Sequence, residues 1–114
     1  MSLERFLSKL KHTPEAIAFN ETINTIESHY NFTPTAFKNG ELYNNAGENS
    51  GSSKLLAFAT LQQLTKEETL ACFGKYYFED VLNDPNGNSH QNIRNFMKTG
   101  FEGLVFDDMP LSEK

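Results

Sequence analysis

The chain has a single cysteine, Cys72, among 114 residues, and no tryptophan. One thiol excludes an internal disulfide and a cysteine-based zinc site. The three histidines, His12, His29 and His90, show no paired metal spacing. Long apolar runs are missing too: nothing approaches the roughly 20 residues of a membrane span. Met1 to Lys11 alternates charged and apolar residues, unlike a secretory signal. Positive charge is scarce, with ten Lys/Arg against fifteen Asp/Glu and a net charge of −5. Residues 58–114 carry most of the imbalance. Without a basic stripe, neither nucleic acid nor an anionic membrane surface is an expected partner.

What is abundant is phenylalanine, ten residues spread along the whole chain, and asparagine, which favours caps and turns. Phenylalanine spread this widely argues for one shared core and a single domain over 1–114. Ser2 caps a first helix near 3–11, with Leu3, Phe6, Leu7 and Leu10 on one face. Thr13-Pro14-Glu15 is a helix start. The 3-4-3-4 spacing of Ala16, Phe19, Ile23, Ile26 and Tyr30 predicts a helix to about Tyr30, with a restart at Asn20 as an option. Asn39-Gly40 is a favoured hairpin turn that places Phe37 opposite Leu42. Residues 44–53 are polar and read as a loop.

Lys54 to Leu61 is apolar nearly all round a helical axis, which predicts a central, buried helix. Thr65-Lys66-Glu67-Glu68 is a capping box, and the following stripe continues past Gly74 to about Leu82. A last helix near 90–98 follows a cap at Asn88 or Ser89. Leu104-Val105-Phe106 reads as a strand joining the hairpin, and the polar tail from about 107 is expected to fray. The fold class is α+β: mostly helical, with a small antiparallel sheet from about 35–38, 41–44 and 103–106.

Two segments carry candidate chemistry. Gly47 to Lys54 leads into the buried helix, where N–H groups and a partial positive charge await an anion. Glu48, Asn49 and Ser52 surround that entry. Lys54 sits in the predicted first turn, where a cation is unfavourable by about 0.3–1 kcal/mol unless an anion joins it. His90 and Arg94, four apart, share one edge of the last helix. Arg94 is one of only two arginines, and Arg binds carboxylates in a bidentate manner. The expectation is one cleft formed by Glu48, Asn49, Ser52, Lys54, His90 and Arg94, accepting a small anionic molecule. The alternatives are a protein-interaction module, through exposed aromatics or the acidic C-terminal half, or an effector acting on another protein, and an enzyme using His90 with Glu48. No cofactor is expected. Cys72, in an apolar helix run, reads as packing. Asp84, Asn86 and Asn88 start like a calcium loop, but Ser89 and Asn95 occupy the positions that need Gly and Glu.

The run Asn31-Phe32-Thr33-Pro34-Thr35-Ala36-Phe37, then Asn39-Gly40, then Ala46-Gly47-Glu48-Asn49-Ser50-Gly51-Ser52, resembles the HopJ type III effector family. So do Leu70-Ala71-Cys72-Phe73-Gly74, Tyr76-Tyr77, Glu79-Asp80-Val81-Leu82 and His90 to Met97. The resemblance extends from about Leu3 to Phe106. It implies a bacterial protein delivered into plant cells, and it brings no catalytic residue set with it. The amphipathic pattern from Leu3 leaves no leader-length segment, so a cytoplasmic location is the expectation, with type III secretion as the alternative the resemblance keeps open.

Overall fold

The computed structural model describes residues 2–114. Helix α1 spans Leu3–His12, and Ser2 Oγ accepts from the Arg5 N–H at 3.2 Å. A single 3-10 turn, Pro14–Ala16, follows, and α2 runs Phe19–His29. The helix predicted over 14–30 is therefore broken at Ile17 and Ala18, and the restart offered at Asn20 comes one residue earlier, at Phe19. The cause is Ile17, which lies off the apolar stripe yet is only 3% exposed. Burying it and the α2 stripe together requires an extended step between them. Glu21 Oε1 takes the Ala18 N–H at 3.0 Å and starts α2 cleanly.

Strands β1 (Tyr30–Phe32), β2 (Phe37–Asn39) and β3 (Leu42–Asn44) come next. The turn between β2 and β3 is Gly40-Glu41, not Asn39-Gly40. Phe37 pairs with Asn44, and Asn39 pairs with Leu42. Only Gly40 has positive φ, at 62°, which is the pattern of a turn with Gly at its first central position. Asn39 is fully buried and belongs to the strand.

Helix α3 runs Ser50–Leu61, starting four residues before Lys54. Ser53 and Leu55 to Ala59 are all buried, so α3 is the central helix the composition implied. Phe58 meets Phe6 and Tyr30 edge-on, each at 6.0 Å between ring centroids. Helix α4, Lys66–Ala71, opens on the predicted capping box: Thr65 Oγ1 accepts from the Glu68 N–H, and Glu68 Oε1 accepts from the Thr65 N–H.

At Gly74, φ is +62°, and a Cβ there would lie 2.8 Å from the Phe19 backbone nitrogen. This close approach seats the start of α2 against the end of α4. The stripe beyond Gly74 is a π-helical turn, Tyr76–Val81. Helix α5 spans Gln91–Thr99, with His90 as its N-cap in place of the predicted Asn88 or Ser89.

Strand β4 (Leu104–Phe106) pairs antiparallel with β2, giving the sheet order β3-β2-β4. The segment expected to fray from 107 instead forms β5, Leu111–Glu113, paired with β1. Leu111 is buried there, and that anchors a tail whose polarity suggested otherwise. The result is an α+β fold with two small antiparallel sheets around one apolar core.

Candidate functional site

A cleft of about 700 Å³ lies where the starts of α3 and α5 meet. Asn49, Gly51 and Ser52 line it from the cap and first turn of α3, and His90, Gln91, Asn92 and Ile93 from the cap and first turn of α5. The opposite wall is aromatic: Phe19, Phe73 and Tyr76, with Leu42 from the hairpin. Phe19 stacks on Phe73 at 6.3 Å and meets Tyr76 edge-on at 5.3 Å. Gly51 permits this, since a Cβ there would come within 3.1 Å of the Phe19 ring.

Both N-cap residues facing the cleft are left-handed, Asn49 and His90 each with φ 51°. Neither side chain caps its own helix. Asn49 Nδ2 instead donates to Asn44 Oδ1 at 2.7 Å. His90 Nε2 pairs with Asp80 Oδ2 at 3.1 Å, and its ring leans on Tyr76 at 5.3 Å. The caps are thus turned away, leaving two helix starts to face the cleft without a side-chain acceptor.

Beneath the cleft lies a buried asparagine network. Asn39 Nδ2 donates to Asn92 O at 2.8 Å and to Asn92 Oδ1 at 3.0 Å. Asn95 Nδ2 donates to Asn39 O at 3.2 Å. These bonds tie the β2–β3 hairpin to α5 and fix Asn92 at the cleft edge.

Of the six residues expected to share a cleft, Asn49, Ser52 and His90 do so. Glu48, Lys54 and Arg94 do not. Glu48 Oε1 accepts from the Asn45 N–H at 2.8 Å and braces the turn before α3. Lys54 lies in the second turn of α3, so the unfavourable first-turn placement does not exist. Its ammonium pairs with Glu27 at 2.9 Å and lies 5.0 Å from the centroid of Phe32. Arg94 is buried and donates to Asp84 O at 2.8 Å, to Ser89 O and to Ser89 Oγ, pinning the 84–89 loop. It borders a separate cavity of about 230 Å³ instead. The cleft therefore has no lysine, arginine, aspartate or glutamate in its lining.

Sequence reasoning did not single out Phe19, Phe73, Tyr76, Asp80, Gln91 or Asn92 as site residues. The abundance of asparagine was the available signal for the network. The π-helical turn that presents Tyr76 and Asp80 to His90 has no sequence signature. Cys72 is buried away from the cleft. Burial pushes its thiol up to about 12, so it stays protonated and inert.

These features define a small α+β protein with a cleft at two helix starts whose lining has no lysine, arginine or carboxylate side chain. The chain belongs to the HopJ type III effector protein family, whose model matches residues 3–111. It is similar to a protein of unknown function, VPA0580, known from its crystal structure. The identity is 54%, the TM-score is 0.98, and the match covers 100% of this chain and 95% of that one. No curated protein matches the chain. Among the described residues, no helix is long and apolar enough to cross a membrane.

Proposed function

We propose that this protein is a small-molecule-binding protein of the cytoplasm, with the cleft between α3 and α5 as its site. The ligand presents an acceptor head, a carboxylate, phosphate or carbonyl oxygen, to the N–H groups of the two helix starts. Its apolar body lies against Phe19, Phe73 and Tyr76. One observation carries this reading: both N-cap side chains bond elsewhere, so each helix start is left open towards the same cleft. Anion acceptance here rests on oriented N–H groups and not on Lys54 or Arg94. Phenylacetate and phenyl phosphate are suitable probes. Binding at millimolar concentration should raise the melting temperature and shift the amide resonances of Gly51, Ser52, Gln91 and Asn92. No movement of those four resonances with either probe would remove the reading.

A protein-interaction role is the second reading, and the family's name describes effectors. It is favoured by the outer face of the three-stranded sheet. There Tyr43, 56% exposed, and Val105, 59% exposed, sit either side of Lys38 in one cross-strand row.

A further inference from the structure

At the edge of the cleft His90, a lining residue, pairs with Asp80, which lies outside the lining. His90 is the only histidine in that lining, and a neutral imidazole can take a proton on one ring nitrogen while donating from the other. Asp80 stands behind it, outside the lining, with Oδ2 3.1 Å from His90 Nε2. In the neutral tautomer that donates to the Asp80 carboxylate, Nε2 carries the hydrogen. The lone pair then lies on Nδ1, which makes no hydrogen bond among the described residues. Tyr76 supports the ring with its planes tilted at 41°. Tyr76 and Asp80 lie on the same π-helical turn, Tyr76–Val81, a rare element frequently found at functional sites. A base oriented by a third group, beside oriented N–H donors, is an arrangement that can serve acyl transfer.

We propose that the cleft hydrolyses small carboxylic esters, with His90 as general base and Asp80 as its positioning residue. This rests on the cleft being the ligand site. A water molecule gives a proton to His90 Nδ1 while its oxygen bonds to the acyl carbon. The carbonyl electron pair moves to oxygen, and that oxyanion accepts from the N–H groups at the two helix starts. Collapse reforms the carbonyl and breaks the bond to the alcohol oxygen, which takes the proton back from Nδ1. Ester and water become acid and alcohol, and His90 is regenerated. Asp80 balances the imidazolium and keeps Nδ1 as the free nitrogen. The aromatic wall holds the apolar part of the ester.

The test is hydrolysis of p-nitrophenyl acetate, with the melting temperature of each variant matched to the parent. The expected result is saturable turnover that falls about a hundredfold in His90→Gln, the typical share of a positioned base. Asp80→Asn should lower kcat with KM unchanged, and Asp80→Glu should recover part of the loss. A rate in His90→Gln equal to that of the parent would overturn the proposal, since His12 and His29 remain as background. Equal kcat in Asp80→Asn would overturn the role of Asp80. Phenylacetate titration separates the two readings. Shifts at Gly51 and Gln91 without His90-dependent hydrolysis would leave the binding cleft standing and remove catalysis. No shifts would remove the cleft reading itself.

Discussion

Asn44 and Asn92, 48 positions apart, exchange reciprocal amide hydrogen bonds. Asn44 Nδ2 donates to Asn92 Oδ1 at 3.3 Å, and Asn92 Nδ2 donates to Asn44 Oδ1 at 3.0 Å. Through this pair the hairpin sets the position of α5, and with it one wall of the cleft. Both side chains are buried, so each bond replaces one that water would otherwise make.

Asn92→Leu keeps the volume and removes the amide. It leaves Asn44 Nδ2 with only the long 3.5 Å bond to Phe37 O. The expected cost is about 1–3 kcal/mol, the penalty for a buried polar group left poorly paired. Urea titration measures it. Binding of phenylacetate should weaken in the same variant, because Asn92 lines the cleft.

Phe58→Ala should cost about 3–5 kcal/mol. Phe58 is fully buried between Phe6 and Tyr30 on the central helix. A loss below about 1 kcal/mol in a denaturant titration would contradict that placement.

Two glycines with positive φ should respond differently to alanine. At Gly47, with φ 88°, a new Cβ meets nothing within 4 Å. Only the left-handed strain applies there, about 1–2 kcal/mol. At Gly74 the Cβ also meets the Phe19 nitrogen at 2.8 Å and the Ile17 oxygen at 3.0 Å. Backbone cannot rotate away, so Gly74→Ala should cost clearly more than Gly47→Ala. It should also displace Phe19 and weaken probe binding.

Cys72 gives a pH signature. Its thiol rises from the ordinary 9.0 to about 12 in the folded chain. Above pH 9 the unfolded chain loses this proton while the native chain keeps it. Unfolding then releases a proton, and stability falls as pH rises from 9 towards 12, by about 1.4 kcal/mol per unit. Comparing chemical denaturation of the parent and Cys72→Ala at pH 8 and pH 10 isolates the effect. The difference between them should shift against the parent at the higher pH.

Lys54→Ala and Arg94→Ala separate the two cations first expected at the site. The Lys54–Glu27 pair is largely solvated on the Glu27 side, and its loss should cost about 0–1 kcal/mol. Arg94→Ala removes every tie from Arg94 to the 84–89 loop. It should destabilise the protein more and raise hydrogen exchange in that loop. Neither substitution should abolish probe binding, since neither side chain lines the cleft.

Much of the fold was written locally. The Thr65–Glu68 capping box, the Ser2 cap and the all-round apolar α3 each depend on neighbours within a few residues. The hairpin was misread by one turn position because Asn39 is claimed by Asn92, 53 residues away. A turn preference of Asn-Gly is worth less than that buried amide. Lys54 was misplaced because Ser50 to Ser53 read as loop, although Ser53 packs into the core and pulls the helix start back to Ser50. Asn49, Ser52 and His90 stood out because they flank helix starts. Tyr76 and Asp80 did not, because their approach to His90 follows from a π-helical turn that no spacing announces.

The pairing of β2 imposes an order on folding. Its bonds to β3 close a loop of two residues, whereas those to β4 join Phe37 to Phe106 and those of β1 to β5 join Tyr30 to Glu113. Loop-closure entropy makes the hairpin early and both long-range pairings late. Helices α3 to α5 lie between the partners, and their condensation shortens the loops that β4 and β5 have to close. The β1–β5 ribbon, two strands of three residues, is then the seam that opens first under native conditions. The amides of Thr33 and Lys114, which bond to Pro110 O and His29 O across that seam, should exchange well before those of α3.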